Sequence, residues 1–295
     1  MNFIPDWIEE SKKFDLVADI YDLYRPSYPE EMITDLTELS KISTGSSILE
    51  IGAGSGKATD CFLGSDKAMD CSSSSDEATD FSLGSGEATD CSSGSGYKMT
   101  CIEQGEHLVA KARDKYKDFK NVTFVCSPFQ DWEVSDNKFD LAFAAQSFHW
   151  IPKPLGYKKI AKSLKENGVM ALFWNKYINQ GDSVSNELAA LLREYKVLSM
   201  IEEKGLQTFK HRTIDGIATT NLFEETDVYQ YPWKSEYTFN EFMNFISTGN
   251  GYISLDAQDK QVLSIRLMEI FSKNDYKINM NLNCVLFVVR KKSQS

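Results

Sequence analysis

SSILEIGAGSGKAT, residues 46–59, sets the reading of everything around it. Ser46 to Ile51 is the short apolar run of an interior parallel strand, and Gly52, Gly54 and Gly56 follow at alternate positions. Glycines there let the backbone bend tightly and approach a ligand with no Cβ in between. The stretch therefore predicts a buried strand, a glycine turn and the first turn of a helix, a unit suited to a nucleotide-like ligand. Spacing separates the motifs that compete for these letters. The dinucleotide fingerprint needs its third glycine where this chain has Lys57, and without it close helix packing is lost. The phosphate-binding loop needs a glycine at Ile51 and a hydroxyl at Ala58, and has neither. What remains is an acid, Glu50, two residues before a Gly-x-Gly-x-Gly.

Outward from the turn the sequence repeats itself. Aligned by tens from Gly54, it reads GSGKATDCFL, GSDKAMDCSS, SSDEATDFSL, GSGEATDCSS and then GSGY. Removing residues 64–93 leaves ILEIGAGSGKATDCFLGSGYKMTCIE, which runs from strand to turn to helix to second strand with ordinary connections. The copies are rich in Ser, Gly and Asp, with Phe81 and Leu83 nearly their only large apolar residues, so they bury too little surface to offset ordering entropy. The expectation is a solvated insertion in a finished fold, leaving on the side away from the ligand crevice. Tyr97 to Glu103 then forms the second strand and ends in an acid. Such a carboxylate can accept both ribose hydroxyls of a nucleoside, and Glu103 stands at the right distance from Gly52 once the repeat is discounted.

Composition excludes several function classes. With 295 residues, 42% hydrophobic and 25% charged, the chain can bury a large core. A formal net charge of -11 argues against nucleic acid or an anionic membrane as partner. No apolar run reaches the roughly 20 residues of a membrane helix, and the start lacks a basic end followed by an apolar block, so the expected location is cytoplasmic. Six cysteines without a Cys-x-x-Cys pair and three scattered histidines make no metal set, and the thiols are expected to be reduced.

The form E-x-G-x-G-x-G resembles motif I of class I S-adenosylmethionine-dependent methyltransferases, in which the turn lies against the methionine part of the cofactor. AAQSFHW (144–150) resembles the matching stretch of a small-molecule subgroup that includes trans-aconitate methyltransferase-like proteins. YDLYRPSYP (21–29) and YPWKSEYT (231–238) carry the same resemblance, which spans the chain outside 64–93. It implies a doubly wound, Rossmann-like α/β fold with a seven-stranded sheet, the last strand antiparallel, and a helical cap. It also implies S-adenosyl-L-methionine as cofactor and a small-molecule acceptor. Glu50, Gly52, Ala53, Gly54, Ser55 and Gly56 would form the methionine side of the site, Glu103 and Gln104 the ribose side, and Ala145 and Gln146 the end of the fourth strand. The loop after the third strand usually carries an acid for the adenine amino group. Here Ser127, Pro128, Phe129 and Gln130 replace the usual letters, which points to Phe129 flanking adenine and Gln130 or Asp131 at its edge. Tyr21 and Arg25 face the cofactor or acceptor in this resemblance, and His149 binds or deprotonates the acceptor.

The rest of the chain alternates as such a fold requires. Residues 6–24 carry apolar positions at near-helical intervals and end at the two prolines of RPSYP. With the helix at Glu30–Leu39, they make residues 1–45 an N-terminal cap segment before the catalytic domain at 46–295. Helices follow at Gly105–Tyr116 and Leu155–Leu164, and strands at Val122–Cys126, Asn137–Ile151 and Gly168–Asn175. Residues 177–222 and 239–273 read as helical cap elements around the acceptor. Strands at Phe223–Tyr237 and Leu282–Arg290 complete the sheet. Two other functions stay open: a cofactor-binding protein without turnover, and, remotely, an NAD-dependent oxidoreductase.

Overall fold

The computed structural model describes residues 15, 17–64 and 96–293. The start of the expected N-terminal helix, with Trp7, Ile8 and Phe14, and nearly all of the repeat lie outside them. Strands β1 (Ser47–Ile51), β2 (Lys98–Glu103), β3 (Val122–Cys126), β4 (Phe139–Ala145), β5 (Leu164–Ile178), β6 (Met200–Ile201), β7 (Asp227–Thr238) and β8 (Lys277–Arg290) form one sheet. Its order is β3-β2-β1-β4-β5-β8-β7, with the two-residue β6 paired to β5. The pairs from β3 to β5 are parallel, and β8 runs antiparallel between β5 and β7. The sheet thus has the seven expected strands with the last antiparallel, plus the short eighth that the sequence pattern missed.

Alternation along the strands feeds two cores. Ile48, Met99, Cys101, Leu141, Phe143, Ala171 and Phe173 face one side and meet α2 (Glu30–Ser40), α3 (Lys57–Leu63) and α4 (Glu106–Lys115). Leu49, Ile51, Ile102, Ala142, Ala144, Leu172 and Trp174 face the other, under α5 (Lys153–Ser163) and α7 (Glu203–Ala218). A fully buried aromatic such as Phe143, stacked on Phe62 at 4.7 Å, contributes about 1.5–3 kcal/mol by area alone.

A third core gathers α6 (Ser183–Glu194), α8 (Phe239–Ser247) and α10 (Ala257–Ser272) against the first half of β8, through Leu188, Leu192, Phe242, Phe245, Leu267 and Met280. Asp182 caps α6, and Thr238 with Glu241 forms a reciprocal capping box on α8, satisfying the free N–H groups that start each helix. Residues 177–222 are therefore two helices separated by β6. The short helix α9 (Asn250–Ile253) follows α8, and α1 (Ala18–Tyr24) packs against α8.

The stretch read as one strand over 137–151 divides. β4 stops at Ala145, Gln146 takes a left-handed φ of 56°, and Phe148–Trp150 forms a 3₁₀ turn. Phe148 is buried against Tyr157 of α5, a tertiary contact that ends the extended run.

Candidate functional site

The carboxyl ends of β1, β2, β4 and β5 open into a cleft of about 310 Å³. Its floor is the glycine turn. Gly52, Gly54 and Gly56 all have positive φ, and a Cβ on Gly52 would lie 2.4 Å from Cβ of Ser147. Ser147 in turn donates its hydroxyl to the Ile51 carbonyl, so the turns after β1 and β4 interlock.

The backbone N–H groups of the turn are committed within the protein. Those of Gly52 and Ala53 both donate to the Ile102 carbonyl, at 2.8 and 3.1 Å, and that of Gly56 donates to the Ala53 carbonyl. The N–H of Gly54 donates to Oε2 of Glu103 at 2.9 Å, while Oε1 of the same carboxylate accepts from the N–H of Gly105 at 2.8 Å. A pyrophosphate needs such N–H groups free, and here an acid already holds one of them. Burial raises the Glu103 carboxyl above its ordinary range, opposed by those backbone bonds.

The expected site residues divide between cleft and scaffold. Tyr21, Arg25, Gly52, Gly54, Glu103, Gln104, Phe129, Gln130, Ala145, Gln146 and His149 line the main cleft. Glu50 and Ala53 border a smaller adjoining pocket with Tyr28, Lys57 and Tyr177. Ser55 donates to Asp22 instead, and Gly56 lies under the Tyr116 ring, whose hydroxyl donates to the Gly56 carbonyl. Glu50 is 1% exposed and accepts from Thr59, and burial pushes its carboxyl up to about 8.

Arg25 is held from several sides. Its guanidinium lies over the rings of Tyr21 and Phe245 at 5.2 and 5.6 Å and donates to the Thr248 carbonyl at 3.1 Å, joining α1 to α8. Nδ1 of His149 accepts from the Trp174 indole at 3.4 Å. An indole N–H only donates, so the His149 proton sits on Nε2. Burial first, then Lys176 and Lys153, lowers the imidazolium to about 4, so the ring is neutral near pH 7.

Several lining residues escaped the sequence reading: Ser147, Asn175, Lys176, Tyr177, Leu198 and Ser199. Lys176 and Tyr177 follow Asn175 directly, but β5 was expected to stop at Asn175. Extending its alternation by one residue puts Lys176 beside Trp174. On β7, Trp233 donates to Asn175 and Tyr237 stacks on Phe245. Among the described residues no cluster of His, Cys, Asp or Glu is placed to hold a metal ion, and no helix is long and apolar enough to cross a membrane.

Residues 79–172, 94 of 295, match the model of a family described as a methyltransferase domain. The match contains the last repeat copy, GSGEATD (84–90), whereas the cleft floor is built from Gly52 to Gly56. An uncharacterized methyltransferase of Schizosaccharomyces pombe is 29% identical over 159 residues, 54% of this chain and 50% of that protein. The chain spans about half the length of the curated yeast relatives it matches. Phosphoethanolamine N-methyltransferase 2 of Haemonchus contortus, solved with phosphomonomethylethanolamine and S-adenosylhomocysteine, is 15% identical with a TM-score of 0.51, over 98% of this chain and 60% of that one. The [4+2]-cyclase SpnF is 12% identical with a TM-score of 0.52, over 96% and 95%. At such identities these structures show the shared fold alone.

Proposed function

We propose that this chain is an S-adenosylmethionine-dependent methyltransferase acting on a carboxylate of a small molecule. One observation carries the reading: the Glu103 carboxylate stands at the end of β2, hydrogen-bonded to the glycine turn, at the edge of the cleft. That geometry suits a nucleoside without a pyrophosphate. Two of the roughly four acceptor positions on Glu103 are taken by backbone N–H groups, which leaves two for a pair of ribose hydroxyls. Among the described residues Nε2 of Gln130 is buried with no partner, as suits an acceptor nitrogen on the adenine edge, and Phe129 offers a ring beside it. Gly52, Ala53 and Gly54 would border the methionine part, with Ala145 and Gln146 below, while Glu50, Ser55 and Gly56 shape the turn from behind.

When bound, S-adenosylmethionine supplies a methyl carbon on a sulfonium, whose C–S electron pair stays with sulfur as the methyl passes to the acceptor. The chain's share is to align the acceptor and exclude water. His149, lowered by burial and protonated on Nε2, presents a hydrogen-bond donor to the acceptor. A carboxylate fits this, because it needs no proton removed and accepts from His149 and Arg25. α1, α6, α8 and α10 are the elements we assign to the cap.

Calorimetric titration with S-adenosylhomocysteine and with NAD tests the cofactor. A screen of carboxylates, phenols and thiols, repeated with His149→Ala and Arg25→Ala, tests the acceptor. The expected result is binding of S-adenosylhomocysteine alone, and carboxylate methylation that falls in both variants. NAD binding without S-adenosylhomocysteine binding would overturn the reading.

A further inference from the structure

Lys176 is an unusual cation. It leaves the carboxyl end of β5 into the cleft, and its Nζ lies 3.7 Å from the centroid of Phe209 and 5.9 Å from that of Trp174. Among the described residues it has no ion pair and no hydrogen bond. Lys115 and Lys159, also partly buried, do have such partners: Lys115 pairs with Asp60 and Asp22, and Lys159 donates to the carbonyls of Gln130 and Trp132. Withdrawing an ammonium from water without a counter-ion is costly, and the face of an aromatic ring returns only part of that. Burial lowers Lys176 to about 8, which leaves it mostly protonated near pH 7.

Among the described residues the one acid lining the cleft, Glu103, sits on the β2 side with Gln104 and the glycine turn, whereas Lys176 lies close enough to His149 to depress the imidazole. The described residues of a protein of net charge -11 thus give the cation beside His149 no counter-ion.

We propose that Lys176 is a specificity-determining residue: its ammonium, held on the face of Phe209 without a protein counter-ion, pairs with a carboxylate of the acceptor beside His149. The inference rests on the methyltransferase reading and names the residue that selects the acceptor. Opposite charges in a half-buried cleft interact far more strongly than in water, and an uncharged analogue forfeits that term while leaving the ammonium desolvated.

The test is calorimetric, on the full chain saturated with S-adenosylhomocysteine. The probes are acetate, succinate, glutarate and benzoate, each set against its primary amide, and the proteins are the wild type, Lys176→Met and Lys176→Arg. The wild type is expected to prefer at least one carboxylate over its amide by about tenfold or more, a preference abolished in Lys176→Met and largely kept in Lys176→Arg. S-adenosylhomocysteine affinity should be the same in all three, which also certifies folding; Lys176→Gln replaces Lys176→Met if the latter does not fold. An unchanged carboxylate preference in Lys176→Met overturns the inference, as does the absence of any preference in the wild type. Equal loss in Lys176→Arg and Lys176→Met would overturn it too, since the retained positive charge would then not select the carboxylate. A wild type that fails to bind S-adenosylhomocysteine at all sinks the methyltransferase reading itself.

Discussion

Glu103→Gln isolates the interaction on which the cofactor assignment depends. The carboxylate accepts from the N–H of Gly54 at 2.9 Å and from that of Gly105 at 2.8 Å, and by our assignment offers its two remaining acceptor positions to ribose hydroxyls. Glutamine keeps one oxygen, so one backbone bond survives, and its amide nitrogen faces the other N–H donor. Exchanging a charged acceptor for a neutral one costs about 1–1.5 kcal/mol for each hydroxyl. Two hydroxyls give about 2–3 kcal/mol, or roughly 30- to 150-fold in dissociation constant. Titration calorimetry with S-adenosylhomocysteine reads this directly. The same titration with Glu103→Asp, which keeps the charge but withdraws it by one methylene, should give an intermediate loss. Thermal unfolding of the free proteins separates damage to the turn from damage to the site. Glu103→Gln that folds and binds S-adenosylhomocysteine within about twofold of the wild type would refute the reasoning.

Three further outcomes follow from the turn and its surroundings. Glu50 titrates near 8 when folded and near 4.5 when unfolded, so the folded state binds the extra proton and stability falls as pH rises between those values. By pH 7 the loss is on the order of 3 kcal/mol. Glu50→Gln should therefore unfold at a higher temperature than the wild type at pH 8 and at nearly the same one at pH 4, and parallel curves would exclude the effect. Gly52→Ala sets a Cβ against Ser147 at a positive φ. About 2–4 kcal/mol of stability should be lost, partly restored by adding Ser147→Gly, as measured by denaturant unfolding. Deletion of residues 64–93 should leave S-adenosylhomocysteine affinity within a few-fold; a loss beyond about tenfold would assign the turn to the copy at 84–90, which the family match includes.

Much of this architecture was readable because one physical signal governed it. Val122–Cys126 is recovered to the residue, since its branched and aromatic side chains sit between clear breakers. Glu103 was legible because the end of a strand fixes where its side chain goes. The elements that were misread depend on partners far away in the chain. β8 starts five residues early because Asn279, Asn281 and Asn283 alternate with buried Met280 and Leu282, and the asparagines hide the strand. Ser147 took its importance from the missing Cβ of Gly52, nearly a hundred residues earlier. Lys176 was overlooked because the strand was expected to end at Asn175, one residue before it, and only the full length of β5 with α7 bringing Phe209 over it shows its place. The far wall of the cleft was least legible because Leu198 and Ser199, between α6 and β6, reach it by tertiary packing, with no motif of their own.

The interlock of Ser147 with Ile51 and Gly52 has a thermodynamic consequence for any ligand that settles on it. Three strand ends are joined there, since the N–H groups of Gly52 and Ala53 are also tied to Ile102. The floor has therefore lost its conformational freedom at folding, and a ligand gains contact with it at little further entropic cost. Side chains of the walls that are not tied in this way keep rotamers to lose. Differences in affinity between competing ligands should then arise at the walls, with a floor contribution common to all of them.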